Sequence, residues 1–221
     1  MINEGYYPLG GLDGYLLKKL PQDIHSEVKS VVDTIQSDFS KAIPYNHNLA
    51  GQIDKEYYTQ LPNKTTQYIK DNIGEHCNSN LDYYRSIKGM FGREPILVYE
   101  GGCWVNFQEK YEYNPMHSHD GVFSFVIWYQ IPFYKEDEIK YGSGKGKKPQ
   151  DNKNGNFEFI SYNGRIVTST PLGIDKSMEG YMAIFPSSLH HIVYPFYTSD
   201  DYRVTLSGNV FLSNGSNPTI Y

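Results

Sequence analysis

Apolar residues in the first ninety positions recur at helical spacing. They fall three or four positions apart in residues 23–42, and residues 64–88 carry a second apolar stripe with the same period. Asp23 is placed to cap the first segment, Pro44 to stop it and Gly89 to end the second. The pattern predicts two helical segments, and a polar run within the second can divide it in two.

From about residue 95 the apolar period changes to two, which is the spacing of half-buried strands. The predicted strands are 96–100, 104–108, 122–132, 157–160, 165–170, 181–185, 191–196 and 203–212. Short strands at this spacing, rich in β-branched and aromatic residues, favour a mainly β fold. We expect a double-stranded β-helix, a jelly-roll or cupin-like barrel, with the N-terminal helices packed on one outer face.

The length of the chain, 221 residues, suits one sizeable core, because two domains would leave each half poorly buried. We therefore expect a single domain over residues 1–221. Within it, residues 1–94 are predicted to supply helices and loops, residues 95–213 the β-helix core and residues 214–221 a C-terminal tail.

One segment, residues 138–156, is rich in Lys and Gly and nearly free of apolar side chains. Its GSGKGKK string lacks the spacing of a phosphate-binding loop, and Pro149 follows where such a loop would open a helix. The composition favours a solvated flexible connection, with a mobile lid at the barrel mouth as the alternative.

Charge and cysteine content narrow the possible partners. A formal net charge of -5 gives no strong nucleic-acid signal. The two cysteines, Cys77 and Cys103, are far apart and are expected to be buried thiols in a reducing compartment. The N-terminus has no apolar run long enough for a signal peptide or membrane span. We expect a soluble, cytoplasmic protein with no membrane partner.

Four of the seven histidines fall in two tight groups. His117 and His119 stand two positions apart at the start of a predicted strand, so in extended backbone their imidazoles point to one side. His191 begins a later predicted strand, and His190 directly precedes it. Imidazoles that converge from two segments leave coordination positions open, as a non-haem iron site requires. The alternative is a set of surface or hydrogen-bonded histidines without metal.

Arg203 begins the last predicted strand, and alternation places Thr205, Ser207 and Asn209 on the same face as its side chain. A guanidinium grips a carboxylate with its planar fork, and a buried one without an anion is costly. An anionic cosubstrate would satisfy it. The alternative is an ion pair with a protein carboxylate such as Asp200 or Asp201.

Three strings occur in a characteristic order: NPMHSHDGVFSFVIWYQIP, FPSSLHHIVYPFY and RVTLSGN. Together they resemble the Fe(II)- and 2-oxoglutarate-dependent oxygenases of tailed phages and some bacteria, which are distant relatives of the prolyl hydroxylases. The resemblance covers roughly residues 95–213. It implies a dioxygenase, a hydroxylase of an unidentified substrate, that uses Fe(II), 2-oxoglutarate and dioxygen in the cytoplasm, the host cytoplasm for a phage protein.

The resemblance implies His117 and His191 as iron ligands. The wider superfamily has a carboxylate two positions after its first histidine, whereas this chain has His119 there and Asp120 one position later. The phage-type pattern favours His119 as the second ligand, with Asp120 as the alternative. A three-histidine site carries one negative charge fewer, which could alter the activation of 2-oxoglutarate, and some three-histidine iron enzymes do not use it.

For the cosubstrate, the resemblance implies that Arg203 binds the distal carboxylate of 2-oxoglutarate, with Ser207 and Tyr129 as hydrogen-bonding partners and Asn106 in the pocket lining. The substrate stays open between a protein side chain, a nucleobase, a sugar and a small metabolite. Two other functions compete: a non-catalytic jelly-roll binding or virion-associated module, and a cupin-like metalloenzyme that does not use 2-oxoglutarate. The sequence predicts no oligomeric state.

Overall fold

The computed structural model describes residues 2–91, 96–98, 102–142, 148, 151–162 and 164–213. The strands are β1 (Gly5–Gly10), β2 (Asp13–Lys19), β3 (Ile43–Pro44), β4 (Glu56–Gln60), β5 (Ile96–Val98), β6 (Gly102–Gln108), β7 (Asn114–His117), β8 (Phe123–Gln130), β9 (Phe157–Tyr162), β10 (Val167–Leu172), β11 (Tyr181–Pro186), β12 (His190–Val193) and β13 (Arg203–Ser213). The helices are α1 (Gln22–Ser37), α2 (Asn63–Ser79), α3 (Leu81–Phe91) and α4 (Lys135–Lys140), with short 3-10 turns at Phe39–Lys41, Asn46–Asn48 and Lys176–Met178.

The strands form two antiparallel sheets. The larger has the order β1-β2-β11-β8-β13-β6-β4-β3, with β5 paired to β13, and the smaller has the order β10-β9-β12-β7. Successive core strands, from β6 to β13, alternate between the sheets, apart from the β9–β10 hairpin within the smaller one. This is the predicted double-stranded β-helix, and the eight strands predicted from the sequence are all among those observed.

Both faces of the larger sheet are buried. In β8, Phe125 and Ile127 join α1, α2 and α3 in one core, whereas Val126 and Trp128 join aromatic residues of the smaller sheet in a second core. The second core is the barrel interior. Side chains that alternate with the helix-facing ones therefore point into the space where a ligand would lie.

The helices agree with their predicted positions but not with the predicted signals at their ends. The residue before α1 is Pro21, which caps no backbone group with its side chain, so the prediction that Asp23 caps this helix is wrong. Asp23 lies inside the first turn and pairs with Lys64. The helical stripe divides after Ser79, as expected, but α3 continues through Gly89. A single glycine costs a helix only about 1 kcal/mol, so it need not end one.

Four strands, β1 to β4, lie in the first third of the chain. There β2 pairs with β11, and β4 pairs with β6. The prediction that residues 1–94 supply only helices and loops is therefore wrong. Because β2 is buried on both faces, with Leu16 in the helix-side core and Leu17 in the interior, it lacks the alternation that marks a half-buried strand.

The Lys/Gly-rich segment is partly ordered by packing. Glu138 is fully buried in α4, and Asn152 and Asn156 are buried in the turn that precedes β9. The Lys135 ammonium donates to the Asn154 carbonyl at 2.7 Å and to Asn156 Oδ1 at 2.5 Å. For these residues the predicted solvated flexible connection is wrong, because buried hydrogen bonds replace apolar contacts. The stretches 143–147 and 149–150 lie outside the described residues, as does the predicted tail.

Cys77 and Cys103 are both buried free thiols, as predicted. None of the helices in the described part of the chain combines the length and the apolar character needed to cross a lipid bilayer.

Candidate active site

The structure brings together the three histidines that the sequence singled out. His117 ends β7 and lies opposite His191 of β12, with 4.2 Å between the ring centroids. His119 follows in the next loop, and its ring centroid is 5.0 Å from each of the other two. One nitrogen from each ring lies within 4.8 Å of the others. Three imidazole nitrogens this close together could hold one metal ion.

Backbone carbonyls fix the orientation of two of these rings. His117 Nδ1 lies 2.7 Å from the Pro115 carbonyl oxygen, and His191 Nδ1 lies 3.1 Å from that of Leu189. Because a carbonyl can only accept, each Nδ1 carries the hydrogen, and the Nε2 lone pair is left for a metal.

The third ring, His119, is held by its backbone and by an aromatic neighbour. Its N–H donates to the Ser187 carbonyl at 2.9 Å, and its ring centroid lies 5.6 Å from that of Trp104. On the other side of the site, Phe157 stacks on His191 at 5.1 Å and Phe185 approaches it at 5.2 Å. These aromatic rings limit the access of water to the imidazoles from the interior.

Burial keeps the three imidazoles neutral near pH 7. Desolvation lowers the pKa of His119 to about 3, with a smaller contribution from His117. Desolvation also lowers the pKa of His117, and it lowers that of His191 well below the usual range. The neutral imidazole is the form that binds metal, so protons compete weakly for this site.

Three neutral imidazoles suit a first-row divalent ion, ferrous iron included, and a set of three leaves coordination positions open. Asp120, the alternative second ligand, is exposed and lies outside the group of three. The donor set that the geometry offers is therefore three nitrogens without a carboxylate.

Arg203 lies deep in the interior, with 2% of its surface exposed. Its Nε and Nη2 donate to Gln108 Oε1 at 2.9 and 2.6 Å. Nη1 donates to the Gly155 carbonyl and Nη2 to the Tyr194 carbonyl, both at 2.9 Å. A guanidinium has five N–H donors, and these four bonds leave one, on Nη1, without a partner in the described part of the chain.

No carboxylate among the described residues forms an ion pair with this guanidinium. Asp200 pairs with Lys110, and the Asp201 backbone N–H bonds the Ser199 hydroxyl, so the predicted alternative of an aspartate partner is wrong. Burial lowers the pKa of Arg203 to about 9, against the opposing field of the Glu138 carboxylate. A buried cation in this state is stabilised by an anionic ligand. Because only one N–H of the guanidinium is free, a carboxylate would bind Arg203 through one hydrogen bond and not through a bidentate pair.

Tyr129 does not face this pocket. In β8 the neighbouring Trp128 points into the interior, so Tyr129 points outward, where its ring stacks on His25 of α1 at 5.7 Å. The prediction that Tyr129 binds the cosubstrate carboxylate is wrong, because alternation along the strand sends it to the opposite face.

Ser207 also lies far from the Arg203 guanidinium. The two residues are four positions apart, about 13 Å along β13, and Ser207 lies opposite Trp104, towards the histidines. The predicted pairing of Ser207 with Arg203 on one carboxylate is therefore wrong. Thr205, two residues from Arg203 on the same face, is better placed, although no role was predicted for it from sequence.

Asn106 lies on the interior face of β6, directly across from Thr205. Its Nδ2 donates to Thr205 Oγ1 at 3.2 Å, which leaves the threonine hydrogen free to donate to a ligand. Gln108, which holds Arg203, was missed by sequence reasoning. The available signal was alternation in WVNFQ, where residues 104, 106 and 108 share a face.

Comparison with known proteins agrees with this geometry. Residues 102–209, from β6 into β13, match the model of a family described as "Putative 2OG-Fe(II) oxygenase". The match includes the three histidines and Arg203. The match indicates an oxidoreductase of the 2OG-Fe(II) oxygenase type, with Fe(II), 2-oxoglutarate and dioxygen as its cofactors. The family, the enzyme class and the cofactors predicted from the sequence are confirmed.

Two solved structures are similar in fold. A prolyl-4-hydroxylase from Pseudomonas putida is 12% identical, with a TM-score of 0.51, and the match covers 90% of this chain and 92% of that one. A prolyl hydroxylase from Trichoplax adhaerens, in complex with a hypoxia inducible factor oxygen degradation domain peptide fragment, is 15% identical, with a TM-score of 0.50 and coverages of 91% and 84%. No curated protein matches the sequence. At these identities the similarity confirms the fold alone.

Proposed function

We propose that this protein is an Fe(II)- and 2-oxoglutarate-dependent dioxygenase that hydroxylates a C–H bond of its substrate. His117, His119 and His191 hold the iron, and Arg203 binds the distal carboxylate of 2-oxoglutarate. The observation that carries the proposal is the convergence of three neutral imidazoles within 4.8 Å, two of them with Nδ1 bonded to a backbone carbonyl.

When bound, ferrous iron and 2-oxoglutarate supply the oxidation, in which dioxygen gives one atom to succinate and one to the substrate while carbon dioxide leaves. The chain supplies geometry. The Pro115 and Leu189 carbonyls keep two Nε2 lone pairs aimed at one point. The free N–H of Arg203 and the hydroxyl of Thr205 offer two donors to a carboxylate, and Phe157 and Phe185 exclude water beside the metal ligands.

The three-histidine ligand set affects the charge at this site. Without a protein carboxylate, a divalent ion keeps its full double charge until the cosubstrate binds. The 2-oxo acid end of the cosubstrate would bring one negative charge to a metal held here, so cosubstrate binding is expected to depend strongly on the presence of metal.

The substrate remains within the classes expected from the sequence: a protein side chain, a nucleobase, a sugar or a small metabolite. One structural neighbour holds a peptide, which makes a protein side chain the first class to screen. A cytoplasmic location, expected from the two free thiols, belongs to the same proposal.

A second candidate, a three-histidine metalloenzyme that does not use 2-oxoglutarate, is favoured by one observation. Arg203 already bonds Gln108, Gly155 and Tyr194, so protein groups satisfy most of its donors without a cosubstrate.

One assay separates the two candidates. Iron-loaded protein incubated with 2-oxoglutarate and oxygen is expected to release succinate slowly even without substrate, and Arg203→Ala is expected to release far less. Succinate formation no higher in the wild type than in Arg203→Ala would contradict the proposal and favour the second candidate.

A further inference from the structure

A row of polar side chains crosses the interior face of the larger sheet beside the proposed iron site. Glu56 of β4 lies opposite Asn106 of β6, which lies opposite Thr205 of β13. Tyr57, the neighbour of Glu56, packs against Phe107 on the helix side, so Glu56 points to the interior.

Two buried acceptor atoms in this row lack a donor. Glu56 is 3% exposed and Asn106 is 6% exposed. Glu56 Oε1 and Asn106 Oδ1 have no hydrogen-bond partner in the described part of the chain. A buried acceptor without a donor costs about 1–3 kcal/mol, so such a pair needs an explanation.

No cation in the described part of the chain compensates the ionised form of Glu56. No lysine or arginine of the described residues forms an ion pair with it, and its neighbour Lys55 pairs with Glu109. Burial raises the pKa of Glu56 to about 8, and the Glu112 carboxylate adds to the shift. A positive group placed beside Glu56 would stabilise the ionised carboxylate and oppose this shift.

This row lies between the two ends of the proposed active site. Two residues along β6 from Asn106 in one direction, Trp104 contacts His119. Two residues in the other direction, Gln108 holds Arg203. Each step of two residues is about 7 Å, so Glu56 and Asn106 lie within reach of a substrate bound near the metal.

The chemistry of 2-oxoglutarate excludes it as the partner of this pair. Its carboxylates and ketone only accept hydrogen bonds, which suits Arg203 but leaves Asn106 Oδ1 without a donor. We propose that Glu56 and Asn106 form a subsite for a cationic nitrogen group, an ammonium or guanidinium, of the substrate. This inference rests on the proposed function, because it describes the substrate of that same site.

The competing explanation is a self-contained pair, in which a protonated Glu56 turns to donate to Asn106 Oδ1 and binds no ligand. Isothermal titration calorimetry at pH 7 in two buffers of different ionisation enthalpy separates the two. The protein is Fe(II)-loaded, anaerobic and saturated with 2-oxoglutarate. The probes are N-acetyl-lysine methylamide and N-acetyl-arginine methylamide, and the neutral control is N-acetyl-norleucine methylamide.

At least one cationic probe is expected to bind tenfold or more tightly than the norleucine probe. Because Glu56 must ionise to pair with it, binding should release about one proton. Glu56→Gln should remove both the preference and the proton release. The control variant Glu109→Gln, which removes an exposed carboxylate of the same region, should bind as the wild type does.

Equal or absent binding of the cationic and neutral probes, or an unchanged preference in Glu56→Gln, would overturn the subsite. If Glu56→Gln does not fold, Asn106→Ser is the second variant, and it should weaken the cationic probe while proton release persists. An unchanged affinity in Asn106→Ser would also overturn it. Failure of the proposed function is distinguishable, because 2-oxoglutarate would then produce no charge-transfer absorption before any probe is added.

Discussion

The two ends of the barrel interior use buried polar groups in opposite ways. At the metal end, backbone carbonyls bind the Nδ1 atoms of His117 and His191, which leaves their Nε2 atoms for a metal, and no partner of Nε2 is found in the described part of the chain. At the other end, protein acceptors take four of the five N–H groups of Arg203. The first end depends on a ligand for its function, whereas the second is held largely by the protein itself.

This difference predicts that substitutions at the two ends have different consequences. Changes at the histidines should remove metal while the fold persists. Changes at Arg203 should weaken both cosubstrate binding and the stability of the fold, because this guanidinium joins β6, the residue after β12 and the turn before β9.

The largest expected effect is at His191. His191→Ala removes a proposed ligand that is 3% exposed, and metal affinity should fall by roughly a hundredfold or more, with succinate release lost. Bound iron after desalting and the anaerobic dissociation constant measure this. The matched control is His190→Ala, which alters the exposed neighbour in the same strand and should keep metal and activity. Equal metal loss in both variants would contradict the ligand assignment.

The next effect is at Arg203. Arg203→Lys keeps the charge but loses the bonds to Gln108 and the Gly155 carbonyl, so the KM for 2-oxoglutarate should rise about tenfold or more. The free energy of unfolding should fall by about 2–4 kcal/mol, because the replaced group is buried and hydrogen-bonded. Metal content should stay near one ion per chain. Loss of metal in this variant would remove the distinction between the two ends.

A third effect is the loss of stability in acid, which should arise from the buried histidines of the metal end. In the metal-free fold the pKa of His119 is about 3, below the usual value of 6.5, so the unfolded chain binds protons more readily. The contribution of neutral His119 to the free energy of unfolding is therefore fully present above pH 6.5. It is lost as the pH falls towards 3, by up to about 4 kcal/mol. Denaturant unfolding of metal-free protein at several pH values measures it. In His119→Asn the free energy of unfolding should depend less steeply on pH. An equally steep dependence would contradict the assignment of the effect to His119.

The smallest expected effects compare single atoms near Arg203. Thr205→Val removes the hydroxyl proposed to contact the carboxylate, and the KM for 2-oxoglutarate should rise about fivefold, as for one lost hydrogen bond. Ser207→Ala and Tyr129→Phe should change it less than about twofold, because these side chains lie away from the guanidinium. A larger effect in Tyr129→Phe than in Thr205→Val would restore the orientation predicted from sequence.

These contrasts also show what the sequence could reveal. The period-two pattern, together with the order of the two histidine groups and Arg203 along the chain, was enough to predict the β-helix and the convergence of the three imidazoles. The position of His119 within the ligand group follows from its spacing to His117, since alternate residues of an extended segment share a side.

The wrong predictions arose where both faces of an element are buried. VFSFVIWYQIP is apolar at nearly every position, so its pattern does not show which alternate residues face the interior. Tyr129 was therefore assigned to the interior, although Trp128 points there. β2 was missed for the same reason. Glu56 was missed because a buried acid looks like an exposed one in sequence, and only the pairing of β4 with β6 reveals its burial.

The most direct test of the central claim is an anaerobic titration of Fe(II)-loaded protein with 2-oxoglutarate, followed by visible absorption. The wild type and His190→Ala should each develop a metal-to-ligand charge-transfer band that saturates at about one 2-oxoglutarate per iron, and His191→Ala should develop none. A band of full intensity in His191→Ala, or none in iron-containing wild type, would contradict a cosubstrate site built on these three histidines.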